Sequence, residues 1–251
     1  MRYPRSPMPY RLVCLDAGFT LLAPRRSLAD ALSGVLAERG HPVAEDEVRR
    51  AWELADQWFW EEYQRPENST WSSDEEIERT WREYHTRMLA ELGFADRGNE
   101  LLDEILASQF AADSWELYPD VVPALAALRE RGVHIGVISD WGSNLGTILD
   151  GLGLGRHLDF VLASGSVGLA KPDPALFRMA LERAGADPAE GLMVGDSLHA
   201  DVQGARAAGM HGLLLVRAEA DGPDHRLPRV EIPSDVRVIA SLAELPAIVA
   251  G

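Results

Sequence analysis

The sequence predicts an α/β fold, with a parallel sheet covered by helices on both faces and a long helical segment inserted after the first strand. Three observations carry this. From Val121 onward, short apolar runs alternate with helical stretches, the rhythm of parallel strands joined by crossover helices. From Ser27 to about Trp115 the pattern is helical throughout. Polar residues, finally, stand at the ends of the apolar runs, where an open parallel sheet binds its ligands.

Taken in order, Leu12-Val13-Cys14-Leu15 is a buried strand that stops at Asp16. Ser73-Asp74-Glu75-Glu76 is a capping box opening a helix toward Leu92. Arg65 to Ser69, Gly93 and Gly98 read as breaks between helices. After Tyr118-Pro119-Asp120 comes a helix from Val121 to Arg131, then a strand from His134 to Ser139. A helix over Asn144–Leu152 and a strand over Phe160–Ala163 follow. Next come a helix from Pro174 to Ala184 ended by Gly185, and a strand from Leu192 to Val194. A helix over Asp201–Ala208 and a strand over Gly212–Val216 complete the series. The tail reads as a loop and a last helix capped by Ser241 with Glu244. The expected division is 1–22 with 116–251 as one domain and 23–115 as the other.

Composition narrows the partners. A net charge of −16 opposes phosphate backbones and anionic membranes, so neither a nucleic acid nor a membrane is expected. No apolar run is long enough to span a bilayer, and Met1–Tyr10 shows no apolar leader core. A cytoplasmic location is the resulting expectation. Cys14 is the single cysteine and reads as a small buried hydrophobe.

Lys171 is the only lysine among 24 basic side chains; the rest are arginine. An ammonium is a compact point charge and a guanidinium a broad planar fork, so a position that sets one charge between small anions resists replacement. Strand ends should bring Lys171 together with Asp16, Ser139 and Asp196, and with Asp201 nearby. Three carboxylates at one edge repel unless a cation joins them, and oxygen ligands with retained waters suit Mg²⁺. The alternatives are ordinary ones: Thr20 and Ser139 could cap a loop or helix, and Asp201 could be a helix N-cap.

Asp16-Ala17-Gly18-Phe19-Thr20, Val137-Ile138-Ser139, Lys171-Pro172 and Gly195-Asp196 with Asp201 resemble, in order, the motifs of the haloacid dehalogenase-like hydrolase superfamily. The resemblance covers essentially the whole chain. It implies a Rossmann-like, doubly wound parallel core with an inserted helical cap, and a small phosphorylated molecule as substrate. It implies that Asp16 is a nucleophile forming an aspartyl-phosphate. Thr20 and Ser139 would donate hydroxyls to phosphoryl oxygens, and Lys171 would link nucleophile and phosphoryl group. Mg²⁺ would be held by Asp16, the carbonyl of Gly18 and Asp196, with Asp201 in the metal shell or orienting the lysine. Asp140, beside Ser139, is counted with the substrate-binding residues.

Gly18 departs from the family pattern, in which most phosphatases carry a second aspartate as acid/base. That group is typically worth about 10²–10⁴ in rate. Asp140, His199 or a cap carboxylate could replace it. If the backbone at Gly18 needs a positive φ, a side chain there is disfavoured altogether. A metal-free 2-haloacid dehalogenase shares the Asp-Ala opening and lacks the acid, but has no use for Gly195-Asp196. A catalytically weak phospho-ligand binding or regulatory protein is the third reading. In the cap, Trp52, Trp58, Phe59, Trp60, Tyr63, Trp71 and Trp81 fit a cap core at helical spacing or a pocket for an apolar leaving group.

Overall fold

The computed structural model describes residues 10–63, 70–217 and 231–251. In chain order the first elements are β1 (Leu12–Leu15), β2 (Leu22–Pro24), α1 (Leu28–Glu38), α2 (Glu45–Tyr63), α3 (Asp74–Glu91), α4 (Gly98–Phe110) and β3 (Trp115–Leu117). Then follow α5 (Val121–Glu130), β4 (His134–Ser139), α6 (Leu145–Gly151), β5 (Phe160–Ala163), α7 (Ser164–Val167) and α8 (Pro174–Ala184). The series closes with β6 (Gly191–Gly195), a π-helical turn (Leu198–Gln203), α9 (Gly204–Ala207), β7 (His211–Leu215), β8 (Arg237–Ile239) and α10 (Leu245–Ala250). The break expected at Arg65–Ser69 lies outside the described residues. No described helix is long and apolar enough to cross a membrane.

The chain forms two compact units, Met1–Ala23 with Glu116–Gly251, and Pro24–Trp115. In the first, six strands form a sheet in the order β5-β4-β1-β6-β7-β8. Every adjacent pair is parallel. β1 is central, with Val13 facing Ile135 on one side and Leu192 on the other. Its four residues are fully buried, which is why Leu12-Val13-Cys14-Leu15 is apolar without alternation. From β1 the chain builds outward through β4 and β5, then returns to the other side of β1 for β6, β7 and β8. That reversal puts a topological switch point at the carboxyl ends of β1, β4 and β6, and crevices form at such points. One face is packed by α8, whose Leu176, Phe177, Ala180 and Leu181 join Leu12, Cys14, Ile138 and Met193 in one apolar cluster. β2 and β3 pair as a separate two-stranded sheet where the chain leaves and re-enters this unit.

The second unit is a four-helix assembly of α1, α2, α3 and α4. Ser73 caps α3 by accepting the Glu76 N–H, as its position before an acidic first turn suggests. Trp52, Tyr84, Met88 and Leu89 are buried in its core with Leu32, Leu36 and Leu101. Phe59 stacks on Trp81 at a centroid distance of 5.7 Å, and Trp58, Phe59 and Trp81 pack against that core. Those aromatics thus serve the interior of the helical unit; the side chain of Tyr63 lies outside the described residues. The acidic runs at Glu45 and Asp46 open α2 and pair with Arg49 and Arg50 one turn on, which suits solvated helix starts.

Candidate active site

Asp16 directly follows β1, Ser139 ends β4, and Asp196 directly follows β6. Parallel strands in nearly equal register bring these three side chains to one edge. Lys171 comes from the segment before α8, and its Nζ lies 2.7 Å from Asp16 Oδ1 and 2.7 Å from Asp201 Oδ1. Asp16, Asp196 and Asp201 each offer a carboxylate oxygen within 4.8 Å of the others. Ser139 hydrogen-bonds the Asp16 carboxylate. Asp16 and Lys171 are almost fully buried and Asp201 entirely so, while Asp196 is half-buried.

Asp201 reaches this place by a route the sequence conceals. The helix expected to start at Asp201 begins at Leu198 as a π-helical turn, and its N-cap is Ser197, whose hydroxyl accepts the Ala200 N–H. Asp201 is therefore not the cap. It sits inside the turn with Oδ1 on Lys171 and Oδ2 accepting the Ser197 N–H at 2.9 Å. Gly195 makes the fit possible, because a Cβ there would run into the Asp201 carboxylate.

Asp140 follows Ser139 and turns inward, its Oδ1 accepting the Lys171 backbone N–H at 2.9 Å. Trp141 comes next. Its N–H donates to Ser164 Oγ, and its carbonyl accepts from Gly165 N and Ser164 Oγ, which fixes it to the start of α7. A Cβ at Gly18 would meet Trp141 Cζ3 at 3.5 Å, ordinary contact, and beyond its chain neighbours no other described atom within 4 Å. Gly18 does not have a positive φ. The strained residue is its neighbour Phe19, at φ 54, which lets the Phe19 N–H reach the Leu22 carbonyl at 2.8 Å.

Thr20 follows in the same loop. It is fully buried, and its Oγ1 has no hydrogen-bond partner among the described residues. The loop closes on itself, with the Leu21 and Leu22 N–H groups both donating to the Ala17 carbonyl. His199, the other candidate proton donor, is exposed and paired with Gln203 at 3.1 Å.

The electrostatics follow from burial and crowding. Burial pushes the Asp16 carboxyl upward, Lys171 pulls it back, and the Asp196 charge raises it again. Burial likewise lifts Asp201 to about 7 against the pull of Lys171. Asp140 is lifted to about 6 by burial, again opposed by Lys171. For Lys171 burial works against the charge, but Asp16, Asp201 and Asp140 outweigh it and hold the ammonium well above its ordinary value. One cation thus faces several carboxylates, and the surplus negative charge suits a hard divalent ion with oxygen ligands.

The fold and this site define a hydrolase of the haloacid dehalogenase type, and the chain belongs to that family: residues 10–209 match its model, described as haloacid dehalogenase-like hydrolase. A mouse protein, haloacid dehalogenase-like hydrolase domain-containing protein 3, is 32% identical over 241 residues, covering 95% of this chain and 93% of that one. A phosphoserine phosphatase from Thermus thermophilus is 39% identical over 142 residues, covering 56% of this chain and 54% of that one. Among solved structures, a 2-haloacid dehalogenase from Pseudomonas syringae pv. Tomato superposes with a TM-score of 0.62 at 26% identity, covering 96% of this chain and 98% of that one.

Proposed function

We propose that this hydrolase is a phosphatase that hydrolyses a small organic phosphate with Mg²⁺, using Asp16 as nucleophile. One observation carries the reading: three carboxylates meet within 4.8 Å, with the ammonium of Lys171 bonded to two of them. A metal-free displacement on carbon has no use for that crowding of negative charge. The relative named a phosphoserine phosphatase supports phosphoryl chemistry, while the dehalogenase likeness is of the whole fold.

Asp16 Oδ attacks phosphorus, the P–O bond to the leaving group breaks, and the phosphoryl group passes to the carboxylate. Water then attacks the phosphorus of the aspartyl-phosphate, which breaks its bond to the carboxylate, releases inorganic phosphate and restores Asp16. Lys171 stabilises charge on the transferring group and keeps the Asp16 carboxylate oriented. Ser139 holds that carboxylate through its single O–H, which would turn to a phosphoryl oxygen when substrate binds. Asp16, Asp196 and the Gly18 carbonyl would hold Mg²⁺, which when bound neutralises phosphoryl charge. Asp201 Oδ1 accepts from Lys171 and Oδ2 from the Ser197 N–H, so Asp201 orients Lys171 at the edge of the metal shell.

The test is turnover on a panel of phosphorylated metabolites with Mg²⁺ and with excess chelator, run in parallel with 2-haloacids. Phosphate release that disappears in chelator is expected. Activity indifferent to chelator, or halide release, would overturn the reading.

A further inference from the structure

Arg217 is a buried arginine beyond the stretch that matches the family model, and the chemistry above does not use it. It follows β7 and ends inside the unit that carries the site. Its guanidinium grips Asp120 through both carboxylate oxygens, at 3.0 Å each. The Tyr118 ring lies beneath it, with Cζ 3.9 Å from the ring centroid. Asp120 is held in turn by the Ser241 hydroxyl at 2.6 Å and the Leu242 N–H at 2.8 Å. From this anchored position Arg217 sends one more hydrogen bond, 2.7 Å, to the carbonyl of Thr20.

That carbonyl belongs to the loop that bears Asp16. Buried backbone acceptors need partners, and the donor here comes from 197 residues away. The Tyr118 N–H takes the next carbonyl, Leu21 O, at 3.1 Å. The loop after the first strand is therefore tied at two successive carbonyls, Leu21 to Tyr118 directly and Thr20 to Asp120 by way of Arg217. Planar forks suit such bidentate, stacked roles and an ammonium does not.

We propose that Arg217, locked by Asp120, is a positioning residue that clamps the Asp16–Leu22 loop and so sets the Asp16 carboxylate for reaction. The effect on turnover rests on the reading of Asp16 as nucleophile; the clamp itself does not. Arg217→Lys keeps the charge but cannot hold Asp120 with two parallel bonds and reach Thr20 as well. Asp120→Asn keeps the shape and removes the anchor's charge. Leu181→Ala, a cavity variant in the apolar cluster of α8, is the control for simple loss of stability.

Two readouts separate the outcomes. Amide exchange at Phe19, Leu21 and Leu22 should quicken by about tenfold or more in Arg217→Lys and Asp120→Asn, while β4 amides stay protected; the control should shift both together. For folded protein, kcat should fall by up to about 10²-fold with KM little changed, as a small misplacement of a reacting group does. The double variant should be no worse than the more damaging single one, because the two side chains act as a unit. Loop exchange equal to wild type in Arg217→Lys would overturn the clamp. Quickened exchange with unchanged kcat would overturn its role in positioning Asp16. Absence of wild-type turnover on phosphate esters would count against the phosphatase reading, and the exchange measurement would still decide the clamp. If Arg217→Lys fails to fold, Asp120→Asn carries the same comparison.

Discussion

Lys171 Nζ stands 2.7 Å from Asp16 Oδ1, and the pair is closed off from solvent. The same nitrogen reaches Asp201 at 2.7 Å, so two anions share one compact cation. A guanidinium keeps the charge but needs more volume than this site leaves between two buried carboxylates. Lys171→Arg is therefore expected to lower kcat by about 10²–10³-fold, the cost typical of losing one preorganised donor at a charged transition state. Because Lys171 is the only lysine, an amine-directed reagent can modify just this side chain and the amino terminus. Buried and held protonated by its two carboxylates, Lys171 should resist the reagent while the protein is folded and react once it is unfolded. Normal turnover by Lys171→Arg would remove the residue from the mechanism.

The acidic cluster predicts separate effects for two aspartates. Asp16→Asn is nearly isosteric and should abolish turnover while leaving the thermal transition in place. Asp196→Asn should instead raise the Mg²⁺ concentration needed for half activity by at least about tenfold, because a ligand is lost and the nucleophile is kept. Titration of activity against free Mg²⁺ distinguishes the two.

The helical unit carries a pH-dependent element of its own. His85 is buried, and burial lowers its pKa to about 4 although Nε2 pairs with Gln109 at 2.6 Å. The unfolded chain takes up that proton near the ordinary histidine value of 6.5, so between pH 6.5 and 4 it binds more protons than the folded state. The stabilisation is complete above pH 6.5, declines as pH falls, and levels off below about 4. The full difference is about 3 kcal/mol. Denaturant unfolding at pH 7 and pH 4.5 should reveal the decline, and His85→Gln should flatten it. An unchanged pH dependence in that variant would rule His85 out as its source.

Much of this molecule was legible in the sequence where one physical cause dominated. Leu12–Leu15 and Phe160–Ala163 are unbroken apolar runs, His134–Ser139 has an apolar centre between His134 and Ser139, and all three are strands at those bounds. The gathering of Asp16, Ser139 and Asp196 followed from polar residues at the ends of strands in a parallel sheet, whereas Lys171, which no strand carries, stood out only as the single lysine in its motif. β2, β3 and β8 are three-residue strands, too short for a period to distinguish them from loop. The start of the helix bearing Asp201 was misplaced because a π-helical turn shifted the cap back to Ser197. Arg217 and Asp120 left no signal at all. An arginine after a strand reads as surface, and its partner lies 97 residues away.

The last prediction concerns the proton that Gly18 cannot supply. Without a positioned acid, aryl and acyl phosphates, whose leaving groups depart unprotonated, should be hydrolysed far faster than alkyl phosphates. The gap in kcat/KM should exceed that of relatives with an aspartate there by about 10²–10⁴. The backbone permits a direct test, since Gly18 lies outside the left-handed region and a Cβ meets Trp141 Cζ3 in ordinary contact at 3.5 Å. Gly18→Asp should therefore fold and raise the alkyl rate selectively. Trp141 borders the same volume, so Gly18→Asp with Trp141→Ala should raise it further if the ring restricts the new carboxylate. A wild-type aryl-to-alkyl ratio near one would mean that another group delivers the proton. Asp140 is then the first residue to change: burial lifts its pKa to about 6, within reach of a neutral-pH acid, whereas His199 is exposed and paired with Gln203. Asp140→Asn would then remove alkyl turnover and spare aryl turnover, and equal loss on both substrates would assign Asp140 to holding Lys171 instead.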